Sequence, residues 1–443
     1  LRHFWSWAVT LYSLIYAGII LVINIQKMWF YSDEAIFIFY AQELAVGGAY
    51  SYNYNPFGTS LLIYFLGTLI SDFYLAAKIL NSLFIFAFML SYYRFLNRLL
   101  PIDQFIRPFL AWFSVIIWSL LPESFLFAHG LLTDFPYAVF LILSWTYLID
   151  KETPDARSSI IAGFFGGCAC LFRWTGFFFL PINVFIIIIR HQQSHLKTIV
   201  NRSHGQEISL IMFYTMSFFM ILSPWLIYNS ILNGNPFSNW AIYNLGSDGI
   251  AYSPEYILSE YGTFSRFFAV KWLYLCEKFF LNFLSIPWNL LNRVFTPMDL
   301  KSDLIPKSII AGIFYILLGL CLVFIMKRTR STDYTPDFSS NWKNRYKMLL
   351  SFRISLIIII FLFGFFIQIA LGWLVYRFFI PIFPLIIWIF LYPLLTHIDS
   401  FTHRKMNEKH KRIFCVVFSL LLAFMMFIFF LQGVISMIEN LPL

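Results

Sequence analysis

Charge is what this chain has least of. Asp, Glu, Lys and Arg make up 12% of its 443 residues, about half of the roughly 25% found in soluble domains. That shortage excludes an ordinary water-facing surface over most of the chain. Cysteine is scarce too. Cys168, Cys170, Cys276, Cys321 and Cys415 mostly sit inside apolar runs and form no Cys-x-x-Cys pair, so neither a zinc site nor a disulfide framework is supported. There is no P-loop, nucleotide-binding fingerprint or low-complexity stretch, which removes the usual signatures of nucleotide-handling domains. The net charge of +9 would fit a nucleic-acid partner only if it formed a basic patch. Instead the positive residues gather in short segments between apolar runs, as they do in cytoplasmic membrane loops. Nucleic acid is therefore not an expected partner.

Apolar and aromatic residues fill the space that charge leaves. Sixty per cent of the residues are hydrophobic, 55 are Phe, and the mean hydropathy is +0.74. Runs such as 354–374 and 414–434 exceed the roughly 18 residues needed to cross a hydrocarbon core. The sequence thus predicts an all-α fold, a polytopic transmembrane helix bundle forming one domain over residues 1–443. Spans are expected near 7–26, 74–94, 107–122, 135–149, 158–172, 174–190, 208–228, 308–326, 353–374, 378–396 and 412–435, about eleven in all. Residues 158–190 are divided into two short spans because Arg173 lies midway and a charge at the bilayer centre is costly. The stretch 57–70 is apolar but too short to span and reads as interfacial or re-entrant. The run 7–25 is long for a signal-peptide core and lacks a clear cleavage site, so it is expected to be retained. The chain begins at Leu1 rather than Met, which leaves open a few missing residues or an alternative start codon.

Charge sets the expected orientation. With the N-terminus inside, most of the 31 Lys and Arg, including Arg94, Arg98 and Arg107 and the basic stretches 327–353 and 404–412, fall in cytoplasmic segments. Only Lys27, Lys78, Arg173 and Arg377 stay outside near short loops. Two substantial external segments remain, 27–73 and 229–307. Their Trp, Tyr and Phe content suits the membrane surface. The cytoplasmic loops are short, so chemistry is expected on the external face of a plasma (inner) membrane.

Four features could carry that chemistry. Asp33 and Glu34 directly follow the first expected span. Adjacent acids are poor anchors at that depth, and a carboxylate beside apolar surface suits a general base. A helix N-cap by Asp33 is the plainer account. Tyr54 and Asn55 lie in Asn53-Tyr-Asn-Pro-Phe-Gly-Thr-Ser60, either a polar pocket wall or a simple turn. His129 and Asp134 occur in His129-Gly-Leu-Leu-Thr-Asp134-Phe-Pro136; capping by Thr133 or Asp134 with Pro136 in the first turn would also explain that pattern. Arg173, and Arg377 next to Tyr376, have forks suited to a phosphate in the headgroup region. The alternative, a snorkelling arginine that ends a span, runs against the charge rule on this side.

Taken in order, these motifs resemble those of GT-C glycosyltransferases, in particular the branch of protein O-mannosyltransferases and the lipid A aminoarabinose transferase, which use polyprenyl-phosphate sugars. The series is Asp33-Glu34, Ala41-Gln-Glu-Leu-Ala with Gly47-Gly48, Asn55-Pro56-Phe57-Gly58, Thr133-Asp134, Arg173-Trp-Thr-Gly176 with Leu180-Pro181, Ser223-Pro-Trp-Leu-Ile-Tyr-Asn229 with Gly234-Asn-Pro-Phe237, and Tyr376-Arg-Phe-Phe-Ile-Pro381-Ile-Phe-Pro384. It spans about residues 7–395. Two departures stand out. Family members usually show two prolines where this chain has Asn55-Pro56-Phe57, which puts the acceptor in doubt, and no large soluble domain or lumenal insert is present. The resemblance implies interfacial helices in the first external loop. It implies a sugar moved, with inversion, from a polyprenyl-phosphate donor to a lipid, glycan or protein acceptor among membrane lipids. It further implies Asp33 as catalytic carboxylate, acting as base or through a metal, with Glu34 assisting and Asp134 as a second acid. Arg173 and Arg377 would hold the lipid phosphate, with Tyr376, Tyr54, Asn55 and His129 as further substrate contacts. A divalent metal ion is the one cofactor left open, with no ligands assigned. A flippase or transporter, a polymerase or ligase for lipid-linked sugars, and an inactive GT-C scaffold stay open as alternatives.

Overall fold

A computed structural model describes residues 2–26, 32–51, 56–99, 106–121, 124, 128, 133–150, 155–197, 204–237, 259–262, 264–295, 304–329, 358–362, 366 and 384–393. Among the described residues the chain is helical and contains no strand. The helices are α1 (Arg2–Gln26), α2 (Ser32–Ala45), α3 (Gly58–Ile70), α4 (Phe73–Leu99), α5 (Ile106–Leu120), α6 (Asp134–Asp150), α7 (Ala156–Phe172), α8 (Phe179–Lys197), α9 (His204–Asn233), α10 (Phe264–Phe295) and α11 (Leu304–Thr329), with a 3₁₀ turn at Trp174–Phe178. A further helix covers Pro384–Pro393.

Four segments among the described residues are long and apolar enough to cross a membrane: Phe4–Gln26, Phe73–Leu99, Trp174–Gln192 and Gly205–Asn233. Arg107–Leu120 and Ala156–Phe172 are apolar but shorter. The expected span 412–435 lies outside the described residues. Helix α1 shows what solvent these surfaces suit. Its Trp5, Val9, Tyr16 and Ile20 are buried, while Leu11, Ile15, Ile19 and Val22 on the other side are exposed. An apolar stripe left uncovered would be a liability in water, but it is the natural surface of a helix in lipid, where backbone polar groups are satisfied internally. The chain is an integral membrane protein.

Side-chain contacts fix how the helices run. Trp5 packs on Phe109 and Trp112, and the Tyr12 and Ser119 hydroxyls bond at 2.6 Å, so α1 and α5 are parallel. Lys78 Nζ donates to the Ile25 carbonyl at 3.4 Å, which sets α4 antiparallel to α1. Ser144 Oγ donates to the Ala162 carbonyl at 2.8 Å, and Asp134 pairs with Arg173, making α6 and α7 an antiparallel hairpin. Helices α7 and α9 are in the closest contact. A Cβ built on Gly163 would lie 2.2 Å from the Tyr214 carbonyl oxygen, and one on Gly167 would lie 2.6 Å from that of Phe218. Glycines four residues apart let two membrane helices approach backbone to backbone. Asn183 Nδ2 donates to Tyr214 Oη at 2.8 Å, tying α8 to the same pair.

Two ends of the bundle follow from these directions. One gathers the C-termini of α1, α7 and α9 with the N-termini of α4, α6 and α8, and is here named for Asp134. The other carries Asp150. Helix α6 separates them by about 24 Å at 1.5 Å per residue.

The region 57–70, expected to be interfacial or re-entrant, forms the thirteen-residue α3. Residues 229–307, read from sequence only as a long aromatic-rich segment, contain a 32-residue helix, α10, that departs from helical geometry at Lys271. It pairs with α11 through Tyr315 Oη, which donates to the Phe283 carbonyl at 2.7 Å. The expected break at Arg173 is present: the backbone is extended there, with φ −146° and ψ 130°, between α7 and the 3₁₀ turn.

Candidate functional site at the Asp134 end

Helix α2 brings the acid pair to this end. Asp33 and Glu34 both lie in its first turn, so Asp33 sits inside the helix rather than at the cap residue. The Asp33 side chain lies outside the described residues. Glu34 is buried, 3% exposed. It shares a helical face with Phe37, Ile38 and Ala41, which pack with Ile63 of α3 and with Ala76 and Ala77 of α4. Spacings of three, four and seven residues produce that face.

Asp134 and Arg173 meet although 39 residues separate them. Asp134 opens α6 directly after Thr133, whose carbonyl accepts from the Tyr137 N–H at 3.1 Å. Capping geometry is therefore present, but it leaves the Asp134 carboxylate to a different task, an ion pair with the Arg173 guanidinium. The two side chains are 3% and 12% exposed. The extended backbone at Arg173 ends α7 and places the arginine where the hairpin can close on α6. Asp134 Oδ2 has no further hydrogen-bond partner among the described residues.

Aromatic residues join the scattered motifs around this pair. Phe57, which precedes α3, lies 5.2 Å from Trp225 of α9, and Trp174, directly after Arg173, lies 6.1 Å from the same ring. Tyr50 also packs on Trp225, and its backbone N–H donates to Tyr228 Oη at 2.7 Å. Gly58 is held against α7: a Cβ there would lie 2.4 Å from the Leu171 carbonyl oxygen. Further out, Phe237 packs on Phe177, and Asn229 Nδ2 donates to the Pro236 carbonyl at 2.8 Å. Five of the sequence motifs, those at 55–58, 133–134, 173–176, 223–229 and 234–237, thus have members at one end of the bundle.

Several buried donors lie at this end of the bundle. The Trp174 and Trp225 indole N–H groups and the Thr59 and Thr175 hydroxyls have no hydrogen-bond partner among the described residues. A buried donor left unmade costs about 1–3 kcal/mol, and such groups are normally satisfied. Thr59, Asn81 and Pro136 border one small cavity beside them. Asn81, buried in α4, donates through Nδ2 to the Ala128 carbonyl at 2.8 Å. Sequence reasoning missed it, although an amide inside an apolar run was the available signal. The roles of Trp225 and Tyr228 were also missed, because what they touch depends on tertiary packing.

Tyr54, Asn55, His129, Tyr376 and Arg377 lie outside the described residues. Among the described residues, no three His, Cys, Asp or Glu side chains come together, and the Asp134 carboxylate already faces a guanidinium. These residues do not by themselves make a metal site.

No protein-family model matches the chain. No curated protein matches its sequence. Its fold is similar to that of the crystal structure of the Archaeoglobus fulgidus oligosaccharyltransferase in the apo form, with a TM-score of 0.50 and 12% identity over 97% of this chain. It is similar also to the archaeal oligosaccharyltransferase AglB from Archaeoglobus fulgidus in complex with an inhibitory peptide and a dolichol-phosphate, with a TM-score of 0.51 and 12% identity over 98% of this chain. The chain spans little more than half the length of these proteins, 56% in each case. The likeness is one of fold.

Proposed function

We propose that this chain is a GT-C type glycosyltransferase that moves one sugar from a polyprenyl-phosphate-linked donor to a lipid, glycan or protein acceptor. In this reading about eleven spans cross the plasma (inner) membrane, and the Asp134 end faces outward, as the charge asymmetry suggests. The observation that carries the proposal is the buried Asp134–Arg173 pair among unpartnered donors and motif aromatics, on a fold similar to that of an oligosaccharyltransferase solved with a dolichol-phosphate.

The acceptor hydroxyl oxygen attacks the anomeric carbon on the face opposite the phosphate. Its proton passes to the Asp33 carboxylate. The bond from the anomeric carbon to the phosphate oxygen breaks, and its electron pair leaves with the polyprenyl phosphate. Negative charge grows on that leaving group, so fixed donors aimed at it lower the barrier most. Arg173 and Arg377 supply them, with the Trp174 indole and Thr175 hydroxyl beside Arg173. Asp134 acts as a positioning residue that holds the Arg173 guanidinium. Glu34 supports Asp33 from the same helical turn, and Tyr54, Asn55, His129 and Tyr376 contact donor or acceptor.

The test is sugar release from a polyprenyl-phosphate sugar by the purified full chain and its Asp33→Asn variant in detergent. Asn keeps the size and shape of Asp, and losing one charge in a first helical turn costs only about 0.3–1 kcal/mol, so the variant should stay folded. Its turnover should fall by about 10²-fold or more, the usual worth of a positioned base, and Glu34→Gln should cost less. Near wild-type turnover would remove Asp33 from the mechanism. Movement of intact donor across vesicles without sugar release would instead identify a transporter.

A further inference from the structure

A second polar site lies at the opposite end of the bundle. Between α1, α4, α5 and α6 is a cavity of about 600 Å³ lined by Arg94, Arg98 and Arg107 together with Thr10, Asn97 and Asp150. Arg94, Asn97 and Arg98 share one face of α4, as residues three and four apart do. Arg98 forms an ion pair with Asp150. The Arg94 guanidinium lies 5.8 Å from the centre of the Tyr147 ring. Among the described residues, three arginines and one carboxylate line this cavity.

Basic residues at a cytoplasmic end follow from the charge rule alone. That rule does not require them to converge on one cleft with an amide and a hydroxyl in its wall. The volume falls within the roughly 300–1,000 Å³ of small-ligand sites, and guanidinium forks match phosphate oxygens bidentately. Arg94 and Arg98 reach the cavity from α4 and Arg107 from α5. We infer that this cavity binds a phosphate group, carried either by an anionic lipid headgroup or by a soluble phosphate ester. It lies about 24 Å along α6 from Asp134, so it is distinct from the proposed transfer site and does not depend on that reading.

The test uses the full chain. A soluble arm titrates inorganic phosphate and glycerol 3-phosphate against the protein in detergent. A lipid arm compares nanodiscs of phosphatidylcholine with nanodiscs that also contain phosphatidylglycerol. Both arms read the thermal midpoint and the titrated affinity. Wild type should be stabilised in at least one arm. Arg94→Gln and Arg107→Gln should each weaken that binding about tenfold, the order of one charge-assisted hydrogen bond. Lys78→Gln removes the same charge at the Asp134 end and should leave the binding unchanged. A response to glycerol 3-phosphate in detergent assigns a soluble ester, and a response to phosphatidylglycerol alone assigns a lipid. Arg94 is exposed, so its variant tests the site even where Arg107→Gln fails to fold. No stabilisation of wild type in either arm, or an equal loss in Lys78→Gln and Arg94→Gln, would overturn the inference.

Discussion

Asp134 and Arg173 form a charged pair that the surrounding helices almost fully enclose, with side chains 3% and 12% exposed. Arg98 and Asp150 form a second pair at the far end of α6, with side chains 40% and 20% exposed. The same chemistry in two environments gives an internal comparison. Asp134→Ala leaves a guanidinium enclosed without its counter-charge, which should cost about 3–5 kcal/mol. Asp150→Ala removes a water-screened partner and should cost about 0–1 kcal/mol. Asp134→Leu combined with Arg173→Met replaces both charges by apolar groups of similar size and should be neutral or stabilising. The assay is thermal unfolding in detergent, followed by tryptophan fluorescence, with polyprenyl-phosphate affinity measured on the same samples. The expected result is a double variant that is folded and stable but binds the lipid phosphate weakly. If Asp134→Ala costs no more than Asp150→Ala, the pair is not enclosed as described. If the double variant keeps both stability and donor affinity, the pair is scaffold only and Arg173 has no part in donor binding.

Gly163→Leu should force α7 and α9 apart, because the nearest atom to its Cβ is the Tyr214 carbonyl oxygen at 2.2 Å, which belongs to a backbone that cannot rotate away. A cost of about 3 kcal/mol, the upper end for overpacking, is expected in thermal melts, whereas Gly18→Leu, with nothing within 4 Å, should cost nothing measurable; equal melting of the two variants would contradict the close approach. The orientation is tested in a cysteine-free background: a cysteine at Ser331 should resist impermeant thiol reagents in intact cells and one at Ser247 should react. The reverse pattern would place the Asp134 end inside and remove the external site.

Some of this was legible in the sequence because the cost was local. A single arginine in a long apolar run cannot sit at the bilayer centre, so the break at Arg173 could be read from residues 158–190 alone. The acidic first turn of α2 was legible for a similar reason. Its buried face was not read from the sequence, although Glu34, Phe37, Ile38 and Ala41 follow the helical spacing of one face. Helix α10 was missed because Lys271, Glu277, Lys278 and Asn282 interrupt its apolar residues. A search for continuous runs passes over such a segment, whereas helical periodicity would have marked it. The Asp134–Arg173 pair could not be read at all. Each residue had a satisfactory local explanation, a cap for one and a snorkelling end for the other, and only the closure of the α6–α7 hairpin brings them together.

Similarity of fold at 12% identity carries no chemistry by itself, since one scaffold can host unrelated functions. An inactive scaffold of this shape is therefore the alternative that must be separated from an enzyme, and the ion pair helps to separate them. A buried pair usually stabilises a protein less than well-packed apolar residues of the same volume. A bundle that is otherwise 60% hydrophobic would gain stability by filling these two positions with Leu and Met. Keeping a carboxylate and a guanidinium there, beside indole and hydroxyl donors that no described residue satisfies, is costly for a part that only packs. The cost is offset if a phosphate enters, because those donors then gain an acceptor. On that argument lipid phosphate should raise the thermal midpoint of the wild type but not that of the Asp134→Leu, Arg173→Met double variant. Equal stabilisation of both would favour the inactive scaffold.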